Sequence, residues 1–168
     1  MFKKFLLVAS AGLMAIGTAA AAEKVKIGFV TTITTPAGVI GKDMVDAVNL
    51  AMEDIGGKMA GRDVDLIIED DGFKPAIGKQ KTDKLVKQDK VQFVTGFIWS
   101  HVLLASQKSA LGAGKFLISS NAGPSQMAGK LCHKNFFSTS WQNDQTPMAM
   151  GEVLNLNNVK SLYVMAPN

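Results

Sequence analysis

The amino-acid sequence predicts an α/β fold in which a parallel sheet carries helices on both faces. Short segments rich in Val, Ile and Phe alternate with segments of helical spacing at roughly 25 to 35 residues per unit, as strands and crossover helices do. Several apolar segments run directly into loops of small polar residues, glycine and proline, which is typical of buried parallel strands. Right-handed crossovers place the loops after such strands along one edge of the sheet, where α/β folds bind ligands.

Residues 1–22 are predicted to be a secretory signal peptide and not part of the fold. A short basic start is followed by an apolar centre, too short for a permanent membrane span, and then by a run of small residues. Ala20 and Ala22 fit the small-x-small pattern for cleavage before Glu23. We therefore expect a mature chain that starts at Glu23, outside the cytoplasm. The alternative is a helix buried in a core.

The charge content argues against nucleic acid as a partner. Lys3 and Lys4 account for 2 of the 18 basic residues, so 16 remain against 14 acidic ones and the net charge falls from +4 to +2. No cluster of Lys and Arg with interleaved aromatic residues remains in the mature sequence. The densest basic run, at 79–90, is interrupted by acidic and polar residues and indicates a solvated helix face.

Cys132 is the only cysteine, so no disulfide can form within this sequence. In an exported protein it is either a small buried hydrophobe or half of a pair whose partner lies further along a longer chain.

The first half of the mature chain contains two predicted strands and two predicted helices. Helical spacing between the strands stops at Gly56-Gly57, and the second strand leads into Asp70-Asp71-Gly72. The second helix opens on a proline, which suits a first helical position. In order, these are a strand at 25–31, a helix at 40–55, a strand at 64–69 and a helix at 75–88.

The second half continues the alternation and ends on an incomplete unit. Strands are predicted at 91–95, 116–119 and 136–139, with a helix at 101–111 between the first two. Thr146 then fits a helix N-cap with Pro147 at the first helical position. A further strand is predicted at 161–165, with a loop starting at Ala166. A strand that leads into an unfinished loop suggests a fragment of a longer protein.

The loops after the predicted strands form the expected functional edge of the sheet, here called the rim. Ser100 is placed where a helix begins, and such a position binds carboxylates through free N–H groups and the helix dipole. Asn121, Ala122 and Gly123 could add backbone donors from the next loop. Phe97, Ile98 and Trp99 could wall an apolar pocket. The alternatives are a plain N-cap and core aromatic residues. The rim comprises residues 32–38, 70–74, 96–100, 119–126 and 140–144.

No catalytic set, metal motif or cofactor motif is present in the sequence. The glycines lack the spacing of a phosphate loop, there is no Gly-x-Ser-x-Gly, and His101 and His133 are too far apart for a zinc motif. Asp70 and Asp71 could bind a cation or act as acid and base, or could accept hydrogen bonds from loop backbone. We favour the backbone interpretation.

At these residues the sequence resembles the periplasmic substrate-binding proteins of ABC transporters, in the leucine/isoleucine/valine-binding (type I) branch. The resemblance covers nearly all of 24–168 and implies two lobes, joined by a hinge, that close over a ligand without chemistry. It divides the chain into a signal peptide (1–22), a first α/β lobe (23–140) and a hinge crossing with the truncated start of a second lobe (141–168). The matching features are Lys26-Ile-Gly-Phe, Thr35-Pro36 with Gly41, Glu69-Asp70-Asp71, Gly96 with Ser100, residues 118–122 and residues 137–146.

By this resemblance Ser100 binds the ligand carboxylate, and Asn121, Ala122 and Gly123 supply further donors. Gly123 stands where a threonine is frequent, which removes a hydroxyl donor. Trp99 gives a larger, flatter wall, similar to that of relatives that take aromatic carboxylates.

Two further departures from the family pattern concern aromatic residues. Ile40 replaces an aromatic residue that is common before the glycine at Gly41. Phe73 and Trp99 occupy the positions of a disulfide pair in some members, so we expect aromatic packing in place of that link.

The function implied is the solute-binding component of an ABC importer. It is expected to be periplasmic, non-enzymatic, monomeric when full length and free of cofactors, and to deliver a small carboxylate to a membrane permease. The ligand is expected to be a branched-chain or other hydrophobic amino acid, or an aromatic acid. Two alternatives stay open: a secreted α/β enzyme whose catalytic residues lie in the missing C-terminal part, and a ligand sensor on the same fold.

Overall fold

A computed structural model describes residues 23–165 of the 168-residue chain. The predicted signal peptide and the predicted loop from Ala166 lie outside the described residues. The strands are β1 (Val25–Thr31), β2 (Lys58–Met59), β3 (Arg62–Asp70), β4 (Phe93–Gly96), β5 (Phe116–Ser119) and β6 (Phe136–Ser138). The helices are α1 (Val39–Asp54), α2 (Pro75–Lys87), α3 (Ser100–Leu111), α4 (Ser125–Ala128) and α5 (Gln145–Leu156), with a 3₁₀ turn at Pro36–Gly38.

The six strands form one sheet in the order β2-β3-β1-β4-β5-β6. All pairs are parallel except β2 with β3, which form a short antiparallel hairpin at one edge. The parallel strands therefore all end at the same edge of the sheet, the rim. This arrangement confirms the predicted α/β fold class.

One face of the sheet packs against α2 and α3. Val30, Val94 and Leu117 are fully buried there and join a core with Leu85 and Leu103 of those helices. Burial of each such side chain contributes roughly 1.5–3 kcal/mol, so this face stabilises the fold through a continuous apolar core.

The opposite face packs against α1 at one end and carries exposed aromatic residues at the other. Met44 and Val48 of α1 line a groove with Phe29 of β1, which places the helix over this face. Further along, the Phe93 ring stacks on Phe116 at 5.6 Å, and Phe116 is 41% exposed. Helices thus lie on both faces, as predicted.

Besides shifts of one or two residues at the ends of several elements, four features differ from the sequence prediction. The two-residue β2, which pairs with β3, and the four-residue α4 were not predicted, because each is too short to show a periodic pattern. α5 begins one residue before Thr146, so Asp144 and not Thr146 occupies the N-cap position. The predicted strand at 161–165 is wrong: these residues have no regular structure and are exposed. A strand needs a neighbour to pair with, and within residues 23–165 none lies beside this segment.

The basic run on α2 forms ion pairs at the protein surface, which confirms its interpretation as a solvated helix face. Lys81 and Lys84 both reach Glu69 of β3, at 2.7 and 2.6 Å. Burial would raise the pKa of Glu69, but hydrogen bonds from the two lysines outweigh it and hold that pKa below its ordinary value. Cys132 is exposed, so its interpretation as a buried hydrophobe is wrong. No helix within residues 23–165 has both the length and the apolar character needed to cross a bilayer.

Gly78→Ala is expected to destabilise the protein by about 1–3 kcal/mol through overpacking between α2 and α3. A Cβ at Gly78 would overlap Val102 Cγ1 and lie 3.4 Å from Ser106 Oγ, and both residues are fully buried. Alanine ordinarily stabilises a helix interior by about 1 kcal/mol relative to glycine. The destabilisation expected for Gly78→Ala is therefore opposite in sign to the effect of helix propensity.

Gly151→Ala is the matched control, because a Cβ at this α5 glycine would meet nothing within 4 Å. We expect it to leave the free energy of unfolding unchanged or to raise it by up to about 1 kcal/mol. Urea unfolding followed by circular dichroism measures both variants. A Gly78→Ala protein as stable as the wild type would contradict the packing of α2 on α3.

Candidate functional site

The end of β4 directs the chain into the rim through two consecutive residues with positive φ. Gly96 has φ +98°, and a Cβ there would overlap Val30 O, so only glycine fits. Phe97 follows with φ +63°, an unfavourable conformation for a residue with a side chain. Its N–H donates to Val30 O at 2.7 Å, and its ring is fully buried in the core. Burial of the ring and this hydrogen bond hold the strained turn that leads to Trp99 and Ser100.

Phe97 and Ile98 lie in the core and do not wall a pocket. Phe97 is 0% exposed and Ile98 is 4% exposed. Their proposed role as pocket walls is therefore wrong. Trp99, the third residue of that set, is half-buried and lies at the rim. It remains the aromatic candidate for contact with a ligand.

Ser100 is the first residue of α3, as predicted, and Trp99 occupies its N-cap position. The Trp99 carbonyl accepts from the N–H groups of Val102 and Leu103. The Ser100 hydroxyl accepts a hydrogen bond of 2.9 Å from the Asn143 side-chain amide. A hydroxyl that accepts one bond keeps its own proton to donate. Residues 23–165 provide no acceptor for this proton, so Ser100 presents an O–H donor beside the N-terminus of a three-turn helix.

The loop after β5 is fastened to the loop after β4. The Asn121 side-chain amide donates to Ile98 O at 2.9 Å, and the Ala122 N–H donates to Phe97 O at 2.9 Å. Ala122 is 2% exposed. Its N–H is thus engaged within the protein, so the expectation that it adds a free backbone donor is not met in this arrangement.

Gly123 is where the chain after β6 crosses the loop after β5. This segment, residues 140–144, is here called the exit segment. The Asn143 N–H donates to Gly123 O at 2.8 Å, and a Cβ at Gly123 would overlap Trp141 O. A threonine could not fit at this position without moving the exit segment. The glycine is explained by this close approach of two backbones.

Trp99 packs against Phe73 of the neighbouring loop. Their ring centroids are 4.8 Å apart in an edge-to-face arrangement, and the His101 ring lies 5.2 Å from Phe73. Such pairs contribute about 0.5–1.5 kcal/mol beyond burial. The expected aromatic contact between positions 73 and 99 is present.

Asp70 and Asp71 accept hydrogen bonds from the loops around them, which supports the backbone interpretation. Asp70 accepts from the N–H groups of Ile33 and Gly72, both at 2.9 Å, and so joins the loops after β1 and β3. Asp71 accepts from the Thr32 hydroxyl and from the Phe73 N–H.

The two carboxyl groups have pKa values shifted in opposite directions. Burial would raise the pKa of Asp70, but its hydrogen bonds from Thr34, Gly72 and Ile33 outweigh this and lower the pKa. Asp71 is 0% exposed, and its Oδ2 has no hydrogen-bond partner among the described residues. Burial therefore dominates and raises the pKa of Asp71.

Two of the surface grooves are considered as possible binding sites. A groove of about 310 Å³ runs beside Gly123, Phe136 and Trp141, where the exit segment meets β6. A larger one of about 550 Å³ runs along α2, but its lining lysines already pair with Glu69 and Asp83. The first belongs to the rim and the second does not. Within residues 23–165, no group of three or more His, Cys, Asp or Glu side chains is arranged to hold a metal ion.

Sequence analysis missed two residues that organise the rim. Asn143 links the exit segment to Ser100 and Gly123, and Thr32 links Trp99 to Asp71. Both lie in loops that were assigned to the rim, but nothing in the sequence distinguishes them from their polar neighbours. Only the distances between loops identify them.

The sheet order, the parallel strands and the loops gathered at their carboxyl ends define the fold of a type I periplasmic binding protein lobe. The family model described as periplasmic binding protein matches residues 24–168, and the chain belongs to this family. Membership implies a location outside the cytoplasm. A search among curated proteins finds no significant match.

The solved structures similar to this chain include substrate-binding proteins of ABC transporters. An ABC transporter substrate-binding protein from Sphaerobacter thermophilus is 29% identical with a TM-score of 0.71, over 80% of this chain and 37% of that one. A solute-binding protein of an ABC transporter from R. palustris, in complex with benzoate, is 27% identical with a TM-score of 0.76, over 82% and 38%. LivJ from Streptococcus pneumoniae, a branched-chain amino acid transporter substrate-binding protein in complex with isoleucine, is 25% identical with a TM-score of 0.66, over 71% and 34%. The chain thus spans between 34% and 38% of the length of these structures.

Asp70→Asn and Asp71→Asn are expected to change the pH dependence of stability in opposite directions. The pKa of Asp70 is lowered by folding, so its contribution is present above the ordinary aspartate pKa of about 3.9 and is lost as the pH falls below it. The stability difference between wild type and Asp70→Asn should therefore shrink in acid.

The pKa of Asp71 is raised by folding, so the wild type loses stability as the pH rises above about 3.9 and Asp71 must ionise in the interior. Over that pH range the free energy of unfolding of Asp71→Asn should rise relative to that of the wild type, because the amide stays neutral. Urea unfolding measured at a series of pH values gives both difference curves. Curves that slope in the same direction would contradict the assignment.

Proposed function

We propose that the chain is part of the solute-binding component of an ABC importer that captures a small carboxylate between two lobes. The observation that carries the proposal is the Ser100 hydroxyl at the start of α3, held by the Asn143 amide at 2.9 Å with its proton free. In this proposal residues 23–140 form the first lobe. Residues 141–168 cross the hinge and begin the second lobe.

The start of α3 suits an anion for two reasons. The first N–H groups of a helix have no acceptor inside the helix, and here the first intrahelical bonds begin only at Val102. The helix dipole adds roughly 0.3–2 kcal/mol for a negative charge at this end. A carboxylate at this position would accept from the Ser100 hydroxyl and from backbone N–H groups.

The remaining candidate residues complete the first-lobe half of the proposed site. Trp99 supplies an apolar wall directly before Ser100. Asn121 holds the loop after β4 through Ile98 O, and Gly123 lets the exit segment approach. Ala122 serves by fixing the distance between the two loops through its bond to Phe97 O.

The proposed ligand is a branched-chain or other hydrophobic amino acid, or an aromatic acid. Two of the solved structures that resemble this chain are in complex with isoleucine and with benzoate, both of which are small carboxylates with an apolar body. A site with a few placed donors and an apolar wall is suited to that chemistry. The second lobe would add the contacts that tell an α-ammonium group from an aromatic ring.

The partners follow from this role. The loaded protein would deliver its ligand to a membrane permease from outside the cytoplasm, after removal of residues 1–22 as a signal peptide. It would act as a monomer, without a cofactor, without nucleic acid and without making or breaking a bond in the ligand.

The test is a calorimetric titration of the full-length protein with benzoate, 4-hydroxybenzoate, leucine and isoleucine. We expect one-to-one binding of at least one of these acids and recovery of that ligand unchanged. Turnover of any of them would favour an enzyme instead. Absence of binding to every acid in the set would contradict the proposal of a small-carboxylate carrier.

Ser100→Ala in the full-length protein is expected to weaken carboxylate binding by about 1–3 kcal/mol, or roughly 5- to 150-fold, the range for a charge-assisted hydrogen bond. Ser109→Ala is the matched control, because Ser109 lies on the same helix but at its other end, where it lines a surface groove with Asp83. We expect Ser109→Ala to leave affinity unchanged. Equal affinities of both variants and the wild type would remove Ser100 from the site.

A further inference from the structure

The indole of Trp99 is held by a chain of hydrogen bonds that begins at a buried carboxyl group. The Trp99 Nε1–H donates to Thr32 Oγ1 at 3.0 Å, and the Thr32 hydroxyl donates to Asp71 Oδ1 at 2.5 Å. Thr32 and Asp71 are both 0% exposed. These hydrogen bonds therefore connect a side chain at the rim to two groups fixed in the interior.

The direction of these hydrogen bonds follows from the chemistry of the three groups. An indole N–H can only donate, so Thr32 Oγ1 must accept from it. The single proton of the Thr32 hydroxyl is then available for Asp71 Oδ1, which also accepts from the Phe73 N–H at 2.8 Å. The direction of each hydrogen bond is thus determined, and the position of Asp71 is in turn fixed by the Phe73 backbone N–H.

The ring of Trp99 is also restrained on its carbon atoms. Phe73 contacts it edge-to-face with centroids 4.8 Å apart. Phe73 has φ +65°, a conformation held by the bond from its own N–H to Asp71. The same carboxyl group therefore fixes both the polar atom of the indole and the aromatic residue that packs on its ring.

We propose that Thr32 is a positioning residue that fixes the Trp99 indole in a single orientation, so that Trp99 determines ligand specificity by shape and apolar surface. The proposal rests on the proposed ligand site at Ser100. Because Thr32 occupies the indole N–H, Trp99 offers a ligand carbon surface and no hydrogen-bond donor. A flat or branched apolar body would be selected at this wall, and a polar substituent would gain nothing from it.

The proposal is tested on the full-length protein labelled with 5-fluorotryptophan, in the absence of ligand. The Trp99 fluorine signal is assigned by its loss in Trp99→Phe. Thr32→Val removes the hydroxyl and keeps the shape, whereas Thr32→Ser keeps the hydroxyl. We expect Thr32→Val to shift or broaden the Trp99 signal and Thr32→Ser to leave it near its wild-type position. An unchanged signal in Thr32→Val, or equal disturbance in both variants, would overturn the proposal.

A second measurement does not depend on any substitution at Thr32. In the wild type the Trp99 indole N–H should exchange with solvent much more slowly than that of Trp141, which is 58% exposed. Exchange of the two indole protons at the same rate would overturn the proposal even if Thr32→Val failed to fold.

Affinity separates this inference from the proposed function. With benzoate and isoleucine as probes, Thr32→Val should bind about 2- to 10-fold more weakly than Thr32→Ser, the size of one neutral hydrogen bond. Equal affinities in both variants, with the wild type binding, would overturn the specificity role of Trp99. If the wild type bound none of benzoate, 4-hydroxybenzoate, leucine and isoleucine, the carboxylate function would fail, and the fluorine spectra would still decide whether Thr32 positions Trp99.

Discussion

The turn at Gly96 and Phe97 is the constraint on which the candidate site depends. Two consecutive residues with positive φ bend the chain sharply at the end of β4. Glycine accepts this without cost, but phenylalanine does not, and its strain of about 1–3 kcal/mol has to be offset elsewhere. The buried ring of Phe97 and its bond to Val30 O provide that compensation. Relaxation of this turn would move Trp99 and Ser100 away from the loops that contact them.

Hydrogen bonds between loops, in addition to those within them, organise the rim. Asp70 joins the loops after β1 and β3, Asn121 and Ala122 join those after β4 and β5, and Asn143 joins the exit segment to both. Each loop is thus positioned by its neighbour in space. A rim of this kind is preorganised, so binding loses less free energy to the ordering of side chains.

The aromatic pair at positions 73 and 99 shows how one family fold accommodates different local links. Where some members are expected to have a disulfide, this chain has an edge-to-face contact backed by Thr32 and Asp71. A disulfide constrains two backbones but offers a ligand little surface. An indole held in place links the same loops and adds an apolar wall, at the cost of burying a carboxyl group whose Oδ2 finds no partner among the described residues.

The sequence by itself determined the fold class, the positions of β1 and β5 to the residue, and the loops that form the rim, because alternation of apolar strands and helices is a local pattern. It also placed Ser100 at the start of α3. It did not show that Ala122 is engaged by Phe97, that Phe97 and Ile98 are core, or that residues 161–165 lack a strand. Those outcomes, and the roles of Thr32 and Asn143, depend on which loops and strands meet in space. Only the tertiary structure decides such contacts, because a hydrogen bond between residues far apart in sequence leaves no periodic signal along the chain.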